Sequence, residues 1–340
     1  MKTILFTEAT NENIEAAAEI IRRGGLLGIP TETVYGLGAD ALNADACRRI
    51  YEAKGRPQDN PLIIHVPDST WLSRYCENVP ESAYRLADEF WPGPLTMILP
   101  KKDVVPYRTT GGLDTVGVRC PNHPVTLAVI RAAGVPVAAP SGNTSGRPSP
   151  TTAADMVEDM DGKIDGIFDG GACSVGVEST IIDLTCEPPR LLRAGGLPLE
   201  ELQRVLGTVL VDRCITQPVA DGEHPRAPGM KYRHYAPKAP VTVVTGDGEK
   251  SADYIARHAQ QGAGVICFSE YRALFPGRVI HDLGPEGDKS EQARRVFDAL
   301  REFDVTGVPE IYAQCPDDAG LGLAIGNRLK KAAGFHVVEV

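Results

Sequence analysis

KGRPQDNPLIIH, residues 54–65, closes one element and opens another. The segment before it, from Asn43 through Ile50 to Lys54, has the spacing of a capped helix, and Gly55 stands where a left-handed C′ residue ends one. LIIHV, which follows, reads as a buried strand. The connection between them carries Lys54 and Arg56 on either side of the glycine, then Pro57 and Asn60. A turn alone needs only Pro and Gly. Two cations at the mouth of a strand point instead to an anion, Arg offering a planar fork and Lys a point charge. The competing reading is that both are solvated surface cations, as most Lys and Arg are.

Outward from this stretch, helices and strands alternate. Residues 11–25 read as a helix ended by Gly24-Gly25, LLGIP as a short strand, and TETVYGLGAD as a loop. ESAYRLADEFW, HPVTLAVIRAAG, TTAADMVEDM and LPLEELQRVLG read as helices. PLTMILP, TVGVRCP, VPVAAPS, GIFDGG, STIIDLT and RLLRAGG read as strands. Several strands are consecutive, so the expected fold is α/β: a mixed, twisted open sheet with helices packed on it. From about 208 to 239 the pattern is lost in a Pro-rich linker. VTVVTG, GVICFS, RVIHDL, PEIYAQC and FHVVEV then predict a smaller α/β domain with a mostly parallel sheet. The expected division is 1–207, 208–239 and 240–340.

Length and composition agree with two soluble domains: 340 residues, 42% hydrophobic and 24% charged. The net charge is −10, and residues 1–207 hold 27 acidic against 19 basic side chains. That balance opposes tight sequence-independent binding to RNA or DNA, although net charge leaves a local basic groove open. No apolar run approaches the roughly 18 residues a membrane span needs. The N-terminus lacks the apolar length of a signal peptide. The eight cysteines contain no C-x-x-C pair and read as reduced thiols in a cytoplasmic protein.

Further polar loops lie at the ends of other strands. SGNTSGRPS, residues 141–149, follows a strand and precedes a helix, where backbone N–H groups cradle phosphates. It is not a Walker A loop, and a polar surface turn is the alternative. SVGVEST, residues 174–180, and TETVYGLG, residues 31–38, add hydroxyls and glycines. Arg119 and Arg193 lie on strand patterns, where a buried guanidinium needs a facing anion or an internal salt bridge. His65 by itself reads as a core histidine. Loops gathered at strand ends are where α/β sheets bind ligands. The C-terminal GLGLAIG, residues 320–326, is one residue off the dinucleotide fingerprint and reads as helix packing.

PTETVYGLGADA, KGRPQDNPLIIH, FWPGPLTMIL, VGVRCP, APSGNTSGRPSPT, GVESTIID and LLRAGG, in this order, resemble the YrdC-like L-threonylcarbamoyladenylate synthases. PRAPGMKYRHYAP and GLGLAIGNRLKKAA are similar to the longer, two-domain form. The resemblance implies that L-threonine, bicarbonate and ATP, with Mg²⁺, give threonylcarbamoyl-AMP and pyrophosphate. A downstream threonylcarbamoyl transferase would use the product to modify tRNA, and weak tRNA binding to this chain stays open. It implies ATP contacts at Arg56, Asn60, Thr115, Ser141, Asn143, Ser149 and Arg193, with Lys54 and Arg56 catalytic in neutralising charge as pyrophosphate leaves. Threonine would be held by Thr33, His65, Arg119 and Ser179. Gly142 stands where many relatives have Ala. Tyr232 and His234, in the linker, are expected to close over ATP as a lid hinged at Gly229; the alternative is a surface strap whose aromatics, Tyr232 and Tyr235, pack on the interdomain seam. The rivals are a double-stranded RNA-binding module of the same fold and a carbamoyltransferase-type enzyme. The latter would need zinc-finger cysteines that this chain lacks.

Overall fold

The computed structural model describes residues 2–217, 226–228, 230 and 235–340. Eleven strands form one mixed sheet. From one edge, Ile4–Phe6, Gly166–Phe168 and Leu27–Ile29 run parallel. Gly36–Asp40, Val137–Ala138 and Ile63–His65 follow, each antiparallel to its predecessor. Thr115–Arg119 lies parallel to Ile63–His65. Leu95–Pro100 is antiparallel to it, Thr180–Asp183 parallel to that, Arg190–Arg193 antiparallel, and Leu210–Val211 parallel at the far edge. Five parallel strands form a second sheet, ordered Val279–Asp282, Gly264–Cys267, Ile311–Gln314, Val241–Thr245 and Val337–Glu339. One continuous buried cluster runs from Leu26 and Ile64 in the larger sheet, through Tyr235, to Phe297 and Leu329 beside the smaller one.

Residues 43–65 fold as read. Asn43 caps the helix Ala44–Lys54 by accepting from the backbone N–H groups of Asp45 and Ala46, and Gly55 ends it at φ 62°. Three strands depart from the sequence reading. Gly36–Asp40, expected as loop, is a strand whose glycines admit close neighbours: a Cβ at Gly38 would meet Val137 Cγ1 at 2.9 Å. Ile4–Phe6 and Leu210–Val211 are short edge strands with too few residues to show a period. The second of these, with the 3-10 turn Arg213–Ile215, orders the start of the segment read as linker. The smaller sheet is wholly parallel. Among the described residues no helix is long and apolar enough to cross a membrane. All eight cysteines are free thiols, seven of them buried.

Candidate active site

Lys54, Arg56, Arg119 and Arg193 line one pocket, with His65, Ser141, Asn143, Glu178, Ser179 and Tyr235. The topology explains the gathering. His65 and Arg119 end neighbouring parallel strands and pair in register. Ser141 follows Val137–Ala138, which is antiparallel to Ile63–His65. Arg193 ends the strand beside Thr180–Asp183, so it meets the loop that carries Glu178 and Ser179.

Lys54 is 1% exposed, and its Nζ donates to the carbonyl oxygens of Ser141 and Asn143, each at 2.5 Å. Burial, then the charge of Arg56, holds its pKa well below the usual lysine value. The side chain therefore ties down the 141–149 loop from below. Within that loop Ser141 Oγ donates to Asn143 Oδ1 at 2.6 Å, and Asn143 Nδ2 donates to the carbonyls of Thr144 and Arg147. A Cβ at Gly142 would meet Met156 Sδ at 2.1 Å, so the glycine leaves room for that side chain. Arg56 donates to the Pro61 carbonyl at 3.1 Å and more distantly to that of Asn60.

At the other side, Arg193 donates through Nε to the Ser179 carbonyl and through Nη2 to Ser179 Oγ, both at 2.9 Å. Ser179 Oγ also lies 2.8 Å from Thr96 Oγ1. Arg119 Nη2 approaches Glu32 Oε2 at 2.7 Å, so the internal salt bridge that a buried strand arginine calls for is present, with glutamate as the partner. His65 Nδ1 lies 3.3 Å from the Val137 carbonyl. Burial, reinforced by Arg119, brings its pKa down to about 3, so the imidazole is neutral at pH 7.

Four other predicted residues lie off the pocket wall. Thr33 is buried with its hydroxyl 2.8 Å from that of Thr31, directly before the lining residue Val34. Asn60 is 2% exposed, and its Oδ1 has no hydrogen-bond partner among the described residues. Thr115 begins the strand that Arg119 ends, about 13 Å away along an extended chain. Ser149 donates to Glu178 Oε1 at 2.7 Å. Tyr232, His234 and Gly229 lie outside the described residues.

Sequence reasoning missed Glu178 and Arg328 as site residues, and noted Tyr235 only as one of the linker's aromatics. Glu178 stands inside GVEST, where the hydroxyls carry the plainer signal. Arg328 lies in the helix Gly322–Ala332, whose glycines do serve packing: a Cβ at Gly322 would meet the Asp317 carbonyl at 1.8 Å. No short-range signal joins position 328 to position 178.

The family model described as telomere recombination, covering Sua5, YciO and YrdC, matches residues 19–195. The model described as threonylcarbamoyl-AMP synthase, C-terminal domain, matches residues 197–334. A threonylcarbamoyl-AMP synthase of Pyrococcus abyssi is 49% identical over 336 residues, 96% of each chain. One of Bacillus subtilis is 45% identical over 335 residues, 97% of this chain and 96% of the relative. The crystal structure of P. abyssi Sua5 complexed with L-threonine aligns with a TM-score of 0.92 at 47% identity, covering 100% of both chains.

Proposed function

The chain belongs to the Sua5–YciO–YrdC family, in its two-domain form, and we propose that its buried pocket makes threonylcarbamoyl-AMP from L-threonine, bicarbonate and ATP. The observation that carries this reading is the convergence of three arginines and a lysine on one pocket. Every participant in such a reaction is an anion or carries a carboxylate.

The amine of threonine and bicarbonate give a carbamate and water. A carbamate oxygen then attacks the α-phosphorus of ATP, the bond to the β-phosphate oxygen breaks, and pyrophosphate leaves. Arg119 is the partner for the threonine carboxylate, and His65 and Ser179 lie beside it. Val34, Ile63 and Ala139 provide an apolar wall for the methyl group. Arg56, Arg193, Ser141 and Asn143 take the nucleotide. Asn60, Thr115 and Ser149 would reach it only at its ends or through the residues they support. The cations neutralise charge that grows on the leaving pyrophosphate. The enzyme is in this reading a nucleotidyltransferase, since AMP is the group transferred.

Among the described residues no group of three His, Cys, Asp or Glu side chains is placed to hold a metal. Glu178, which lines the pocket, is paired with Arg328, and Glu32 with the lining residue Arg119. Mg²⁺ would arrive with ATP as a co-ligand of its phosphates. The product, a mixed anhydride, suits a transferase acting on tRNA. The test is transfer of label from bicarbonate to an adenylate that also contains threonine, followed by mass spectrometry. An adenylate without the carbamoyl carbon would overturn the reading.

A further inference from the structure

Glu178 poses an electrostatic problem. It lines a pocket built for anions, and a carboxylate there repels the ligand and competes for its cations. Both of its oxygens are engaged: Oε1 accepts from Ser149 Oγ at 2.7 Å and Oε2 from Arg328 Nε at 2.8 Å. Arg328 is not among the residues lining the pocket. It comes from the helix Gly322–Ala332 beside the smaller sheet, is fully buried, and reaches Glu178 across 150 positions of sequence. Its Nη1 donates to Asn327 Oδ1 at 3.0 Å, and its guanidinium lies 5.6 Å from the centre of the Tyr235 ring.

The cation with most to lose is Arg193. It is hydrogen-bonded to Ser179, the residue next to Glu178. Burial would raise the Glu178 carboxyl, but Arg328 and then Arg193 bring it down to about 2, so it is ionised in the folded protein. A buried carboxylate must have a counter-charge. If Arg328 did not supply it, Arg193 is the charge at hand.

We propose that Arg328 is a positioning residue supplied by the C-terminal domain: by holding Glu178 it keeps that carboxylate from capturing Arg193, and so leaves Arg193 open to the anionic nucleotide. The same domain makes a second contact with the site's frame. Arg301, in the helix Lys289–Thr306, donates to the Pro148 carbonyl at 2.7 Å, near the end of the 141–149 loop, and to Asp159 Oδ2 at 2.6 Å in the helix Ala153–Met160 that follows it. That contact holds the loop in place, whereas Arg328 sets the charge of the pocket.

The inference rests on the reading of the pocket as an ATP site, and a charge-pair comparison tests it in the full chain. Arg328→Met should raise the KM for ATP about tenfold or more, the loss of one charge-assisted bond, with a smaller change in kcat. Glu178→Gln combined with Arg328→Met should recover most of that loss, because nothing then competes for Arg193. Arg328→Lys should give a weaker rise of the same sign, and it replaces Arg328→Met in the comparison if that variant does not fold. A purely structural role predicts otherwise: the double variant would be at least as impaired as the single one, or the single variant would lose melting temperature with its KM for ATP unchanged. Either result overturns the proposal. Failure of the wild-type protein to release pyrophosphate with threonine and bicarbonate would instead overturn the ATP-site reading itself.

Discussion

Arg119 Nη2 lies 2.7 Å from Glu32 Oε2, with both side chains about 5% exposed. Neither Glu32 oxygen has a hydrogen-bond partner among the described residues, so the attraction is ionic and geometrically unsaturated. A substrate carboxylate bound at Arg119, as proposed, would compete with Glu32. Glu32→Gln should lower the stability of the free protein by about 3 kcal/mol, as expected when a buried pair loses one partner. It should also enlarge the rise in melting temperature produced by threonine. Thermal melts with and without threonine measure both, and an unchanged threonine shift would remove Arg119 from the carboxylate site.

The two cations of the 54–65 stretch do different work. Arg56→Ala should lower pyrophosphate release about 10- to 150-fold, the equivalent of one charge-assisted bond. Lys54→Met keeps the stem but frees the carbonyls of Ser141 and Asn143. It should speed amide exchange across residues 141–149 and weaken ATP binding. Near-normal release from both variants would contradict the arrangement.

His65 gives a pH signature. Its folded pKa of about 3 lies below the ordinary value of 6.5, so between these values the unfolded chain binds a proton that the folded protein does not. Stability is lost as pH falls from 6.5 toward 3, by about 1.4 kcal/mol per pH unit for this group once well below 6.5. His65→Asn should flatten the stability profile between about pH 6 and 5. Parallel profiles for the two proteins in denaturant titrations would show that His65 is not buried neutral.

Threonine must be told from its isosteres. Serine lacks the methyl that Val34, Ile63 and Ala139 would enclose, and should lose about 1–3 kcal/mol in kcat/KM. Valine lacks the hydroxyl and leaves buried polar groups unpaired, so it should be rejected more strongly. Competition assays at fixed ATP decide, and valine outperforming serine would contradict the pocket as described.

The elements legible in the sequence were those whose signals are local. The Asn43 cap, the Gly55 stop and the apolar run LIIHV lie within a short span of one another, and all three stand as read. Gly36–Asp40 was not legible, because its strand is specified by the closeness of Val137 rather than by β-branched residues of its own. Cations at strand ends were visible as site candidates, but their partners were not. Glu32 meets Arg119, and Glu178 meets Arg328 from 150 positions away, through the order of strands and the docking of the second sheet. Periodicity carries no information about such pairs.

If one pocket joins threonine, bicarbonate and ATP, pyrophosphate release from ATP shows it most directly. With purified protein and MgATP, release should require L-threonine and bicarbonate together and fall to background when either is omitted. Release that proceeds at the same rate without threonine or without bicarbonate would contradict the account.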